Sequence, residues 1–433
     1  MNNWRLRLAN KFPFYYGWVV LGASILPSYS ARPLMAIATL TVFLVPMTEH
    51  FGWSRGLFSG AVSLGGICGI IISPFVGRIV DRRGSSLLIS LSSAIVGFCS
   101  IGLATIGQVW TFYALYVPAR TVFASPLELG TSLAISNWFI RRRPLALNIL
   151  SIGQGTGLAL MPLSAQFLIG NWGWRTAWAS LGAYTLIIGI LPALLLMVRR
   201  PEDIGLTPDP TNATLANPGS LSPDNQDLLE TNFTLSEALK TKAFWILAAF
   251  SVSGFMVQSG VSLHQVPHFI GQGVAPSLAV FAASNFALSQ VIGGIIWSTL
   301  ANRFKVRFLL ASAGLAAGIG AIGTSNSSSI QWGLVASLCL GIGVGGLHLL
   351  LRLTWADYYG RRHLGSIRGV AHSAQIGGQV IGPILAGFMF DITKSYKLPF
   401  AVFTILLWEM SLFCLLYTSP SPRDATLSRM PSS

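Results

Sequence analysis

The sequence predicts an all-α membrane protein of about 12 transmembrane helices, built as two six-helix pseudo-repeats with the N- and C-termini cytoplasmic. Three observations lead there. Apolar types make up 52% of the 433 residues and charged types only 10%, with a mean hydropathy of +0.62. A soluble domain carries roughly 25% charge, so an ordinary water-facing enzyme and a disordered chain are both excluded. Apolar runs of about 20 residues recur between basic patches, the pattern of membrane-spanning helices. Finally, like residues repeat at one offset: Asp81-Arg82 and Asn302-Arg303, Arg141 and Arg362, Gln154 and Gln375, Gly157 and Gly378, Pro162 and Pro383 each lie 221 apart. A duplicated half with a site near mid-membrane is a transporter architecture.

In order along the chain, spans are expected to start near Tyr16, Trp53, Ser86, Gln108, Leu145 and Trp174 in the first half (1–198). The first follows the basic stretch Arg5, Arg7, Lys11, which has no small-residue cleavage site after it. Arg82-Arg83 closes the second, Arg141 to Arg143 precede the fifth, and Arg199-Arg200 closes the sixth. Residues 199–242 are rich in Pro, Asn, Asp and Ser and read as a cytoplasmic linker. At its end Thr234-Leu-Ser-Glu237 fits a capping box, expected to open a helix that runs into the seventh span. The second half (243–413) has spans starting near Ala243, Pro276, Phe308, Ile330, Gly369 and Leu398.

The formal charge of +14 is a topology signal. Of the 28 Lys and Arg, 19 fall on one set of loops, and the alternate loops hold four: Arg55, Arg175, Lys394 and Lys397. The positive-inside rule assigns the basic loops to the cytoplasm of a multi-pass cell-membrane protein, and no nucleic-acid role is expected. Cys68, Cys99 and Cys339 sit in apolar spans as small hydrophobes. No zinc spacing is present. Gly341-Ile-Gly343-Val-Gly345-Gly346 formally contains G-x-G-x-x-G, but an apolar span cannot supply the strand–turn–helix setting a dinucleotide needs, so close helix packing is expected there. No metal and no cofactor are expected. Residues 414–433, CLLYTSPSPRDATLSRMPSS, match frame for frame the translation of a sequencing-library transposon adapter, with Ala425-Thr426-Leu427 as its index. The native reading is therefore expected to end at Phe413, inside the last helix.

Gly77-Arg-Ile-Val-Asp81-Arg82-Arg83-Gly84, between the second and third spans, resembles the loop signature of the major facilitator superfamily. A degraded copy, Ser298-Thr-Leu-Ala-Asn302-Arg303, stands between the eighth and ninth. Tyr15-Tyr16-Gly17-Trp18, Phe51-Gly52-Trp53-Ser54-Arg55, Asn137-Trp138-Phe139, Arg200-Pro201-Glu202-Asp203-Ile204-Gly205 and Tyr358-Tyr359-Gly360-Arg361-Arg362 resemble the monocarboxylate-transporter and oxalate/formate-antiporter branches. The resemblance covers residues 12 to about 410. It implies a secondary transporter that moves a small organic anion by alternating access, with protons as coupling ion. Anion exchange of the oxalate/formate type is the alternative, and a non-transporting sensor on the same scaffold is the rival from another class. It also implies a cytoplasmic gate at Asp81, Arg82, Asn302 and Arg303. Those branches carry ionic groups in the first, eighth and eleventh spans. Here the first has no Lys, the eighth has Asn285 and Gln290, and the eleventh has only His372, so substrate and coupling ion do not carry over.

Ionised side chains inside a span mark a polar cavity or a partner. Arg120 lies ten residues past Trp110, about 15 Å deep, and is the first candidate anion ligand, with neighbouring Pro118 expected to loosen its helix. Direct contact with Glu128, eight residues on, is not expected. Arg32 precedes Pro33 and is placed in the outer half of the first span, at an extracellular mouth. Arg352 shares a face with His348, and Asp357 is close enough to be its partner. Asn285, Gln290, Gln154 and Gln375 complete the candidate substrate ligands. Glu128, Glu409 and His264 are the candidate proton carriers, since burial favours a neutral carboxyl. His264 and His268 stand one turn apart, which without a nearby carboxylate is weak evidence of metal.

Overall fold

The computed structural model describes residues 13–53, 55–208, 232–327 and 329–417. The described residues are helical almost throughout and fall into two compact units. One comprises the chain up to residue 230 together with Leu364–Val370; the other comprises residues 231–363 and the chain from Ala371 on. The linker residues 209–231 and the tail from Thr418 lie outside the described residues, as do Arg5, Arg7 and Lys11.

In the first unit the first span is split into α1 (Gly17–Leu34) and α2 (Ile37–Phe51). Pro33 sits in the last turn of α1, and Ala36 is extended (φ −70°, ψ 152°). α3 (Arg55–Arg83) and α4 (Ser85–Leu103) meet at Gly84, whose φ of +82° is a left-handed value few other residues adopt. The fourth span is also split, into α5 (Val109–Ala124) and α6 (Pro126–Trp138). Pro118 lies inside α5, which runs through it, and the break of the span falls at Ser125. Pro126 occupies the first helical position of α6, where its missing N–H costs nothing, and it pushes Ser125 out of the helical region (φ −133°, ψ −64°). α7 (Arg143–Leu196) holds the fifth and sixth spans, divided at Gly173. Gly157 packs on the Tyr29 backbone of α1 so closely that any side chain there would collide.

The second unit begins with the short helix α8 (Leu235–Lys240). The capping box is formed as the sequence indicates: the Thr234 N–H donates to Glu237 Oε2 at 2.8 Å, and the Glu237 N–H donates to Thr234 Oγ1. That backbone bond, then the Thr234 hydroxyl, hold the Glu237 carboxyl below the usual carboxylate range. The cap is therefore intact above the ordinary glutamate range and lost as pH falls through the lowered value. The helix does not run into the seventh span, however. It stops at Lys240, and Thr241 caps a new helix, α9 (Lys242–Gly271), through the Phe244 N–H. α10 (Pro276–Leu300), α11 (Val306–Asn326), α12 (Ile330–Tyr359), α13 (Leu364–Thr393) and α14 (Lys397–Tyr417) follow among the described residues.

Gly378 on α13 meets the Val252 backbone of α9, the counterpart in the second unit of the Gly157–Tyr29 contact, so the 221-residue repeat has a packing basis. In α12, Gly341 and Gly345 meet α10 at Ser289 and Gln290, while Gly343 meets α11 at Ala317. The glycine run is thus a packing surface on two sides. Counting α1–α2 and α5–α6 as one span each and α7 as two gives 12 spans among the described residues. Eight described helices meet both length and hydropathy criteria for crossing a membrane.

Candidate functional site

The two broken spans of the first unit bring three of the candidate residues together, and α7 adds a fourth. Arg32 lies in the last turn of α1 and Glu128 in the first turn of α6. Arg32 Nη1 pairs with Glu128 Oε2 at 3.2 Å, and Gln154 of α7 donates its amide to the same oxygen at 3.4 Å. Arg120 on α5 donates from Nη1 to the Met35 carbonyl at the end of α1, at 2.8 Å. Both guanidiniums lie over the Phe123 ring, Arg120 with its carbon 4.1 Å from the centroid and Arg32 at 5.3 Å. The π face attracts each cation and lowers the cost of holding two like charges side by side.

The sequence explains this convergence locally. A helix leaves N–H groups unpaired at its start and carbonyls at its end, with partial positive and negative charge respectively. The Pro126 start places the Glu128 carboxylate at a positive end, and the Pro33 break places the Met35 carbonyl where a cation stabilises it. Glu128 and Gln154 are each 4% exposed. Arg120 Nε is buried and has no hydrogen-bond acceptor among the described residues. The stem of Arg120 packs where Gly65 leaves room for it. Two guanidiniums against one carboxylate leave one net positive charge, in a buried setting, with donor capacity to spare on Arg120.

Arg32, expected at an extracellular mouth, is the ion-pair partner of Glu128. Phe123, which carries both arginines, is absent from the sequence-based candidates because a lone aromatic in an apolar span gives no signal.

The second unit places its candidates differently. Arg352 is buried on α12, and His348 meets the Phe255 ring edge-on at 4.9 Å. Asn285 donates to the Leu334 carbonyl, tying α10 to α12, and Gln290 is half-buried on the same helix. Gln375 Oε1 lies 3.2 Å from His372 Nδ1. The His264 ring sits between the Tyr396 hydroxyl and the Pro383 carbonyl, both at 3.2 Å. His268 packs among Tyr396, Phe269 and Phe400. Glu409 is exposed on α14 rather than gathered into a cluster. Among the described residues no three His, Cys, Asp or Glu side chains converge as metal ligands.

Asp81, at the end of α3, accepts three hydrogen bonds within the first unit. The Gly365 N–H donates to Oδ1 at 2.8 Å, and the Ser366 N–H and hydroxyl donate to Oδ2 at 2.7 and 2.6 Å. Gly365 and Ser366 lie in the first turn of α13, whose N–H groups have no partner within the helix. Arg199 donates to the Asp81 carbonyl. Arg82 is exposed. In the degraded copy Asn302, just past the end of α10, donates back to the Ser298 carbonyl in its last turn, and Arg303 is exposed.

The sequence profile of the Major Facilitator Superfamily matches residues 25–273 and 266–431. Curated relatives include monocarboxylate transporter 12-B of Danio rerio, 22% identical, covering 96% of this chain and 91% of that one. Monocarboxylate transporter 2 of Mus musculus is 24% identical, covering 88% and 80%. Among solved structures, the proton:xylose symporter XylE superposes with a TM-score of 0.73 at 12% identity, covering 93% of this chain and 95% of that chain. FucP in its outward conformation gives 0.66 at 14% identity, covering 92% and 98%.

Proposed function

The chain belongs to the major facilitator superfamily, and from that premise we propose that it carries a small organic anion of the monocarboxylate kind, coupled to one proton. It is a multi-pass membrane transporter related to the monocarboxylate transporters, and alternating access is the general mode of that superfamily. The observation that carries the finer reading is the Arg32–Glu128 pair beside Arg120 over one aromatic ring.

A proton delivered to Glu128 neutralises the carboxylate and releases Arg32. Arg32 then joins Arg120 in holding the substrate carboxylate through charge-assisted bonds. The charge balance favours this sequence over binding of the anion alone. Empty, the cluster of two guanidiniums and one carboxylate carries one positive charge; with one proton and one monocarboxylate it again carries one. Moving net charge through a membrane is costly, and a loaded and an empty carrier of equal charge meet the same electrostatic barrier. Proteoliposomes given a panel of labelled short monocarboxylates, with and without a pH gradient, test the proposal. Gradient-driven accumulation is the expected result. Uptake that ignores the gradient and needs internal anion identifies an exchanger, and binding without flux identifies a sensor.

The gate reading rests on Asp81. Its carboxylate caps the first turn of α13, where the helix dipole and free N–H groups favour negative charge. Making and breaking this cap is the proposed switch of the cytoplasmic side. Asp81→Asn keeps the size and removes the charge. Expression should stay near wild type and flux should fall roughly tenfold, the scale of losing charge-assisted bonds. Cytoplasmic accessibility of introduced cysteines should rise. Unchanged flux with unchanged accessibility counts against the gate.

A further inference from the structure

We infer that the Tyr116 hydroxyl is a specificity-determining donor of the anion site, reading an acceptor oxygen that the cargo carries beyond its carboxylate. The inference rests on the anion-site reading of Arg120. Tyr116 lies four residues before Arg120 on α5, so the two side chains share one face. It is fully buried, stacked on Phe112 with centroids 5.3 Å apart. Its hydroxyl has no hydrogen-bond partner among the described residues.

Two comparisons within the same unit sharpen this. Tyr113, on the same helix, spends its hydroxyl on the Leu57 carbonyl at 2.7 Å, so the phenol that packs for structure alone is satisfied. Ser28, Ser93 and Thr185 of this unit are buried without a partner too, but a serine or threonine hydroxyl can turn to the preceding turn of its own helix, as Thr121 does on Val117. A phenol cannot, because its oxygen stands too far from its own backbone. An unpaired buried hydroxyl is costly, and the group available to relieve it is one that enters the site. The neighbouring Arg120 Nε is buried without an acceptor as well. Together they present a cation for a carboxylate and a neutral donor one turn along. A cargo with a carboxylate and a nearby ether, hydroxyl or keto oxygen satisfies both. A site built around a donor discriminates against analogues that lack the acceptor, since binding them leaves the donor buried and unmatched.

The test uses the full chain in proteoliposomes and two acids of equal length, butanoate and methoxyacetate. They differ by one methylene replaced with an ether oxygen, which can only accept. Wild-type protein should bind methoxyacetate roughly three- to tenfold more tightly, the scale of one neutral hydrogen bond. Tyr116→Phe should bring that ratio close to one. A wild-type ratio of one overturns the inference, as does a Tyr116→Phe variant that keeps the ratio or weakens both acids equally. Failure of the site reading beneath it looks different: both acids then bind Arg120→Gln as well as they bind wild type. A melting temperature for Tyr116→Phe separates lost recognition from lost packing, and the phenylalanine keeps the Phe112 stack.

Discussion

Arg120→Gln is expected to bring anion binding to background while the protein still inserts and folds. The guanidinium makes one hydrogen bond to Met35 and lies over Phe123, and its Nε faces no acceptor. Most of its capacity is therefore uncommitted to structure. Each charge-assisted bond lost from a bound carboxylate costs about 1.5–3 kcal/mol, or roughly tenfold to over a hundredfold in affinity. A bidentate contact loses two at once. The variant also removes one of the two positive charges, so that ionised Glu128 leaves the cluster neutral and attraction for an anion disappears. Arg120→Lys separates charge from shape. It keeps the cation and loses the planar fork, so binding should weaken without vanishing. Titration of the purified protein with short carboxylates, followed by its melting temperature, reads both effects. Wild-type affinity in the Gln variant sinks the assignment. So does a Gln variant that fails to fold until Glu128 is also replaced, because Arg120 would then be a structural counter-ion.

The spans were legible because hydropathy acts over 20 residues at a time. Pro276 and Ile330 open α10 and α12 where the sequence places them. The largest displacement is at the eleventh span, expected near Gly369 and found to open at Leu364. Its first turns carry Arg368, which reads as loop but is buried with its guanidinium donating to Ser132. The interruptions at Ala36 and Ser125 escaped a window that averages over them, although Pro33 and Pro126 mark both. Arg120 stood out because a lone cation in an apolar run is costly wherever it lies. Its surroundings did not, since Arg32 and Glu128 are far apart in sequence and only folding joins them. Glu409 shows the converse. Its apolar neighbours read as a mid-membrane setting, yet helical rotation puts its side chain on the exposed side of α14. The loop signature pointed to Asp81, but the helix whose N–H groups it accepts begins at Leu364, which no local spacing reveals.

Glu128→Gln is expected to abolish accumulation driven by a pH gradient and to leave exchange of internal for external anion running. The amide has the shape of the protonated carboxyl and never bears its charge. Arg32 is then released from the ion pair at every pH, as proposed for the loaded carrier. Gln154, which donates to Glu128 Oε2 at 3.4 Å, keeps an acceptor in the amide oxygen, so the α6–α7 contact survives. In the wild type a gradient of one pH unit is worth about 1.4 kcal/mol per proton, enough for tenfold accumulation of a monocarboxylate. In the variant the same gradient should accumulate none. Binding at neutral pH should tighten, because Arg32 no longer has to leave a carboxylate before it meets the cargo, and the pH dependence of affinity should flatten. Arg32→Gln supplies the opposite case. It keeps the titrating carboxyl and removes the cation it competes for, so it should weaken binding at all pH values. If accumulation in Glu128→Gln stays intact, the proton travels elsewhere, with His264 or Glu409 next to be tested. Glu128 would then serve to hold Arg32 against Phe123, and Arg32→Gln and Glu128→Gln should lower the melting temperature by similar amounts without adding to one another.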